Sequence, residues 1–520
     1  MTTTLDTTPL TEIPTVVNKC RQGFQTGAIR SIKDRKSLLR SLLRMLDENE
    51  SALCTAVHTD LRKHVNETTL MELSVLRAEL YHMLENLNEY TAVEKLQLGG
   101  AFVFEDCEVR SEPLGVVLVI GAWNYPVQLT LLPLLGAIAA GNTVVLKPSE
   151  LAPATAYILE KLLSDYLPEN VVGVVNGGVV ETTRLLEERF DHIFYTGGSR
   201  VATIVMAAAA KHLTPVTLEL GGKSPVVVDK TCEKDMKTVA RRIMWGKVVN
   251  AGQTCVAPDY ILVQNEIKDK LIEALKNARE EMMGVNPLNA LEKSNYPSIV
   301  NINHFQRLVN LLNGGTVVFG GEMDESSLTI APAVLTDISL DHPLMTDEIF
   351  GPLLPIIPFK DIHEVLNFLS TKEKPLALYI FSNDKHFIKE VEQNTSSGAV
   401  TVNDVLIHAG MCGLPFGGVG QSGMGAYHGK YSFDTFSHKK PILRRKMGME
   451  TMNIPRYPPY TKEKLRILRK ALEPQGERTA LGRRLWFFSG IPQVCAVTCQ
   501  FLKWYFTRSN EGGKREKEEK

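Results

Sequence analysis

Residues 113–150 read PLGVVLVIGAWNYPVQLTLLPLLGAIAAGNTVVLKPSE, and this stretch decides the fold. Two aliphatic, largely β-branched runs, Val116 to Ile120 and Thr143 to Leu146, flank a segment rich in Leu and Ala. Runs that are apolar at every position belong to strands buried on both faces, and a helix between two of them makes a parallel crossover. The alternation continues downstream with a helix from Ala154 to Leu167, strand VVGVVNGG, a helix from Glu181 to Glu188, strand HIFYTGG, a helix from Val201 to Leu213 and strand TPVTLELGG. The pattern predicts a doubly wound parallel sheet whose ligand sits at the carboxyl ends of its strands. A second α/β region runs from Ser224 to Phe359, and PLALYIFS and GAVTVND add strands beyond it.

Upstream, residues 12–96 read as helices; Leu38, Leu39, Leu42, Leu43 and Leu46 share one face, with Arg and Lys on the other. That amphipathic layer is expected to be scaffold. Gly99 and Gly100 then introduce AFVFEDCEVR, whose alternation suits a strand or a hairpin and a dimer arm. At 520 residues the chain exceeds one simple core. A formal charge of −1, with 22% charged and 44% hydrophobic residues, is that of an ordinary globular protein and gives no basic excess for nucleic acid. The eight cysteines form no CxxC pair or Cys/His cluster, so neither a disulfide framework nor a metal site is expected, and a reducing compartment fits best. The start, MTTTLDTTPLTEIP, lacks the basic and apolar segments of a secretory or transit peptide.

Five stretches carry residues suited to chemistry. In GQTCVAPDY, Cys255 follows a turn and precedes Pro258, which places its thiol at a loop mouth as a small buried hydrophobe or as a nucleophile. In GAWNYP, Asn124 serves either as a turn residue or as an amide donor to a developing oxyanion. In LKPSE, Lys147 and Glu150 are solvated charges or a grip on ribose hydroxyls. In YTGGSR, Gly197, Gly198 and Ser199 precede a helix whose first amides can hold phosphate. In LELGGKSP, Glu219 ends a strand, structural alone but a general base if paired with a thiol. A nucleotide site, a thiol, an amide donor and a carboxylate together suit oxidation of an aldehyde through a covalent thioester.

GAWNYP, LKPSE, TGGS, LELGGKSP, GQTCVAPDY, EIFGP and LPFGGVGQSGMGAYHGKYSFDTFSHKK occur in this order over roughly residues 20–445, and together they resemble the aldehyde dehydrogenase superfamily. WNYP, APDY and GMGAYHGKYSFDTFSHKK are similar to its class 3 group, and within it to the membrane-bound members that act on fatty aldehydes. The resemblance implies Cys255 as nucleophile, Glu219 as general base and Asn124, with the Cys255 N–H, as oxyanion hole. It also implies Lys147 and Glu150 on the adenosine ribose, Gly197 and Ser199 near the pyrophosphate, and Glu348 with Phe350 at the nicotinamide ribose. Class 3 members leave the base role open between Glu219 and Glu348; we assign it to Glu219. Two positions depart from the family pattern, Ala202 where a second glycine is common and Gly198 where a polar residue is common. The cofactor is expected to be NAD, with NADP possible, because Glu150 accepts from a 2′-OH and repels a 2′-phosphate.

The expected architecture is an α/β, aldehyde dehydrogenase-like chain. Residues 1–96 form N-terminal helices of the NAD-binding domain, 97–112 an oligomerisation hairpin, 113–218 the NAD-binding domain, 219–405 the α/β catalytic domain and 406–445 a bridging and oligomerisation segment. A homodimer follows from the resemblance. Residues 446–484 read as a basic linker and amphipathic helix; between Lys440 and Arg484 there are 13 Lys or Arg against four Glu. Residues 485–506, LWFFSGIPQVCAVTCQFLKWYF, are expected to anchor the protein to a membrane, with the body in the cytosol at the endoplasmic reticulum. As a helix, Trp486 to Trp504 spans about 27 Å, which matches that bilayer. Pro492, Gln493, Gln500 and Lys503 weaken the signal, so a helix lying in the interface or packed on the protein remains the alternative. Residues 507–520 are a charged tail. The expected function is NAD-dependent oxidation of medium- to long-chain aliphatic aldehydes to acids. Short or aromatic aldehydes, or a non-catalytic NAD-binding protein, are the rival readings.

Overall fold

The computed structural model describes residues 5–97, 105–285, 287, 296–448, 450–472 and 503. A six-stranded sheet is built on the opening stretch. Its order is Gly423–Met424, Val216–Glu219, His192–Thr196, Val116–Ile120, Thr143–Lys147 and Val172–Val174. All neighbours are parallel except Gly423–Met424, which closes the edge antiparallel to Val216–Glu219. The chain starts in the middle at Val116, winds outward through Thr143 and Val172, then returns across Val116 to His192 and Val216. The strand order therefore reverses between Val116–Ile120 and His192–Thr196, and a crevice opens at their carboxyl ends.

The strands Val116–Ile120 and Thr143–Lys147 are buried at every position, and so is the crossover helix Gln128–Ala140. Close packing demands small residues there: a Cβ on Gly136 would lie 2.7 Å from the Ser432 Cβ. The helix ends at Gly141, whose φ of 98° is a conformation glycine adopts without strain. On the N-terminal side, helix Ile32–Glu48 is capped by Ser31, which accepts the Asp34 N–H at 3.1 Å, and buries Leu39, Leu42, Met45 and Leu46.

A second, seven-stranded sheet has the order Thr316–Phe319, Ala333–Thr336, Leu353–Phe359, Tyr260–Gln264, Pro225–Val228, Ala377–Phe381 and Ala399–Val402. All pairs are parallel except Thr316–Phe319 with Ala333–Thr336. The α/β architecture with parallel sheets agrees with the sequence pattern. Both sheets lie in one compact unit made of residues up to Tyr90 and from Pro113 to Ser437.

The described residues between Thr91 and Glu112 and after Ser437 form the other unit. Its sheet has the order Glu94–Leu96, Asp106–Pro113, Ser437–Arg444. Arg444 bridges Asp106 at 3.3 Å and Glu108 at 2.6 Å, and Lys440 meets Glu112 at 2.9 Å. The short helix Lys462–Leu472 carries Arg469 and Lys470 in its last turn. Apart from Lys503, the proposed anchor at residues 485–506 lies outside the described residues. Among the described residues, no helix is long and apolar enough to cross a membrane.

Candidate active site

The nucleophile loop is built by a sharp reversal. After helix Met236–Val248, Asn250 and Ala251 take left-handed φ values of 51°, followed by Gly252 at 69°. Left-handed backbone costs an alanine about 1–2 kcal/mol, so the surroundings must hold it in place. Glu67 Oε1 accepts the Asn250 N–H at 2.9 Å, and the Asn250 Nδ2 donates to the carbonyls of Asn124 at 2.8 Å and Gln253 at 3.0 Å. Gln253 Nε2 donates to Ser298 O at 3.0 Å and its Oε1 accepts the Val300 N–H at 3.0 Å. Thr254 Oγ1 and the Tyr125 hydroxyl are 2.7 Å apart. The next residue is Cys255, half-buried on the wall of a cavity. Burial, then the carboxylates of Glu348 and Glu219, push its thiol pKa well up.

Asn124 follows the carboxyl end of Val116–Ile120 and is 4% exposed. Its Nδ2 donates to Gln253 O at 3.1 Å, which spends one of two amide protons and leaves the other. Glu219 ends Val216–Glu219 beside Thr196. Both its carboxyl oxygens are buried without a hydrogen-bond partner among the described residues, and burial holds the carboxyl well above its usual range. An unpartnered buried carboxyl is costly and rare outside sites that use it.

Glu348 and Phe350 lie on a loop pinned from three sides. Ile349 donates its N–H to Asp259 Oδ1 at 3.1 Å, Arg307 reaches Ile349 O at 2.8 Å, and buried Lys247 reaches Gly351 O at 2.8 Å. The Glu348 carboxyl occupies the space a Cβ on Gly221 would fill, 2.2 Å from its Oε2. Burial, with the negative charge of Asp259, raises its pKa to about 8. Phe350 has φ 46°, a strained value for a bulky residue, and its ring stands edge-on to Trp123 at 5.4 Å.

Lys147 and Glu150, at the end of Thr143–Lys147, are ion-paired to each other. Ser199 begins helix Ser199–Ala210, preceded by Gly198 with no side-chain cap, so the first amides stay open. Gly197 has φ 159°, and a Cβ there would meet the Tyr195 hydroxyl at 2.2 Å. Ala202, the departure noted above, is 2% exposed and packs with Val205 and Ala209 in the core under the sheet. Sequence reasoning did not single out Lys63, Glu67, Glu72 or Asp259, which hold the site loops, because each looks like an ordinary charge in its own neighbourhood.

The cavity beside Cys255 has a volume of about 420 Å³. Leu70, Met71, Val75, Leu129, Trp245, Val256, Leu406, Ile407, Phe416 and Tyr427 line it. A thiol on the wall of an apolar pocket, a buried unpartnered carboxyl whose charge it feels, and a nearby amide proton can attack and then hydrolyse a carbonyl compound.

The aldehyde dehydrogenase family model matches residues 3–442. The chain belongs to the aldehyde dehydrogenase family. It is 47% identical over 485 residues to aldehyde dehydrogenase family 3 member A2 of Pongo abelii, across 93% of this chain and 99% of that protein. It is also 47% identical to the Mus musculus protein named aldehyde dehydrogenase, dimeric NADP-preferring, across 86% of this chain and 98% of that one. Among solved structures, the substrate-bound state of Staphylococcus aureus AldH matches with a TM-score of 0.84 at 40% identity, covering 88% of this chain and 98% of that chain. The protein is thus an NAD(P)-dependent aldehyde dehydrogenase of class 3.

The crevice of this aldehyde dehydrogenase fits a dinucleotide. A Cβ on Gly198 would meet nothing within 4 Å, which leaves room against the open helix start. Thr196 Oγ1 is buried there without a partner among the described residues. Val179 and Val180, which begin one helix at a strand's carboxyl end, are 80% and 61% exposed, and Ile204 on the next is 58% exposed. Exposed apolar residues of this kind suit the face of a flat ring.

Proposed function

We propose that this dehydrogenase oxidises medium- to long-chain aliphatic aldehydes to carboxylic acids, with NAD favoured, through covalent intermediates on Cys255. The apolar cavity with the thiol on its wall is the observation that carries this reading, because such a lining suits an alkyl chain better than a charged one. Rings of Trp245, Phe416 and Tyr427 in the same wall favour an aromatic aldehyde as the second reading.

In the proposed reaction, the Cys255 thiol gives its proton to a carboxylate and its sulfur bonds the aldehyde carbon. The oxyanion of the resulting thiohemiacetal takes hydrogen bonds from the free Asn124 amide proton and the Cys255 N–H. NAD(P), when bound, supplies the hydride acceptor. Lys147 and Glu150 are suited to the adenosine ribose, the amides after Gly197 and at Ser199 to the pyrophosphate, and Glu348 with Phe350 to the nicotinamide ribose. Loss of hydride leaves an acyl thioester on Cys255. Once the thiol's proton has passed to solvent, Glu219, buried and unpartnered, takes a proton from water as the water oxygen bonds the acyl carbon. The C–S bond breaks, the acid leaves, and the thiol regains its proton.

Glu150 favours NAD, since a carboxylate there repels a 2′-phosphate; Glu150→Gln is expected to raise the NADP-to-NAD ratio of kcat/KM. A homodimer is proposed on the 47% identical relative named dimeric. Membrane attachment is proposed through residues 485–506, supported by the aromatic-flanked apolar run and the basic residues before it. The test is kcat/KM across a series from propanal to hexadecanal, with benzaldehyde alongside, on the full chain and on one ending at Arg445. A rise with chain length is expected. A maximum at propanal or benzaldehyde would replace the fatty reading.

A further inference from the structure

A buried ion pair sits behind the reacting groups. The side chains of Lys63 and Glu72 are both 0% exposed, with Lys63 Nζ 2.9 Å from Glu72 Oε1. Burying a salt bridge contributes little stability compared with apolar residues of the same volume, so its other contacts deserve an explanation. Lys63 Nζ also donates to the Asn124 carbonyl at 2.9 Å and lies 4.2 Å from the centre of the Tyr125 ring. Glu72 Oε2 accepts the N–H groups of Val127 at 2.9 Å and Gln128 at 3.2 Å. One member therefore holds the start of the 124–128 turn, and the other holds its end at the N-terminus of helix Gln128–Ala140, where negative charge is favoured.

Lys63 lies in the link just before helix Val65–Thr68, and the helical segment that carries Glu72 is shaped for the pair. Thr69–Leu73 is a π-helical turn between helices Val65–Thr68 and Ser74–Tyr90. Such a turn inserts a residue into the helical repeat and re-aims the side chains beside it, at a cost in regular hydrogen bonding. Here Glu72 lies within it. The bonds run on toward the nucleophile: the Asn124 carbonyl also accepts from Asn250 Nδ2, and the Asn124 amide reaches Gln253 O, two residues before Cys255.

We propose that Lys63 and Glu72 are positioning residues that hold the Asn124 turn in register with the Cys255 loop, so that the free amide proton of Asn124 meets the oxyanion. The inference rests on the reading of Asn124 given above. A misplacement of about 1 Å in such a donor costs about 100-fold in rate, while ground-state binding of NAD and aldehyde elsewhere is untouched.

The test is a double-mutant cycle on the full-length enzyme, measured by kcat, the KM for NAD and thermal melting. Lys63→Met removes the bond to the Asn124 carbonyl; Lys63→Met/Glu72→Gln removes it without leaving an unpaired buried charge, and serves if the single variant does not fold. Either variant is expected to lose about 10- to 100-fold in kcat with KM for NAD within about twofold. In an Asn124→Ala background the same change is expected to cost less than about twofold more, because the group it positions is gone. A folded Lys63→Met/Glu72→Gln enzyme that keeps kcat within about twofold, or losses that multiply in the combined variant, would overturn the proposal. Normal kcat in Asn124→Ala alone would instead remove the oxyanion reading, and this inference with it.

Discussion

The Asp259 carboxylate accepts the backbone N–H of Ile349 at 3.1 Å, so the loop of the nucleophile and the loop of Glu348 are tied four residues beyond Cys255. The same carboxylate meets Lys223 Nζ at 3.0 Å, just past Glu219 in the chain. Lys223 in turn donates to the carbonyls of Leu344 and Asp347. Both candidate bases and the thiol are thereby referred to one buried anion. Asp259→Ala is expected to cost about 3–5 kcal/mol of stability, the usual loss when one member of a buried pair is removed. It should also raise the KM for NAD about tenfold as the Glu348 loop loosens. Thermal melts and NAD titrations check this, and an unchanged titration would show that the loop holds its shape without the tie.

Glu219 and Glu348 are the groups expected to set the pH behaviour. Burial holds Glu219 well above the usual carboxyl range and Glu348 at about 8. A base must be ionised to work, so kcat/KM is expected to rise as pH goes from neutral into the alkaline range. Glu219→Gln should lower steady-state turnover by about 100-fold or more. Stability runs the other way. A folded pKa raised above its unfolded value contributes stability that is complete below the unfolded pKa and is lost as pH rises through the folded one. For Glu348 that window runs from 4.5 to about 8. Glu348→Gln should therefore be more stable than the parent at the alkaline end by about 1–3 kcal/mol, while Glu219→Gln shifts in the same direction. Melting curves across pH decide it; a Glu348→Gln enzyme less stable than the parent at alkaline pH would contradict the assignment.

Gly252 is fixed by its neighbours. Its φ is 69°, and a Cβ there would lie 2.3 Å from the Gly351 carbonyl oxygen. Gly252→Ala must strain the backbone and push the Glu348 loop away, so a loss of about 2–4 kcal/mol is expected, with kcat reduced even at temperatures where the variant stays folded. A melt and rate equal to the parent's would show that the two loops can separate freely.

The parallel strands were legible because a strand buried on both faces is apolar at every position, as Val116–Ile120 is. Cys255, Asn124 and Glu219 stood out because each ends a strand or follows a turn. Lys63, Glu67 and Glu72 did not, since a charge on an amphipathic helix reads as solvated until its partner is known. Their partners, Asn124, Asn250 and Val127, lie far away in the chain. The left-handed Asn250 and Ala251 were equally hidden, for no local propensity puts a buried alanine at φ 51°; the surrounding hydrogen bonds impose it. Lys147 and Glu150, expected at the adenosine ribose, form an ion pair that the sequence alone did not indicate.

The cavity wall from the N-terminal helices makes a further expectation. Ala78 lines the pocket beside Val75 and Leu70. Ala78→Phe should fill space that a long chain needs, lowering kcat/KM for hexadecanal about tenfold, as each methylene excluded from an apolar pocket costs about 1–3 kcal/mol. Propanal should be unaffected. Equal losses for both aldehydes would mean that the chain does not run along this wall.

The measurement that bears most directly on the account is to trap the acyl-enzyme. Full-length protein would be mixed with NAD and hexadecanal, quenched in acid within the first turnover, digested, and the peptides weighed. The account predicts one acyl group, of the mass expected for a thioester, on the peptide containing Cys255, formed together with the first NADH and absent from Cys255→Ser. NADH formed at the normal rate by Cys255→Ser, or an acyl group carried by any other residue, would contradict it.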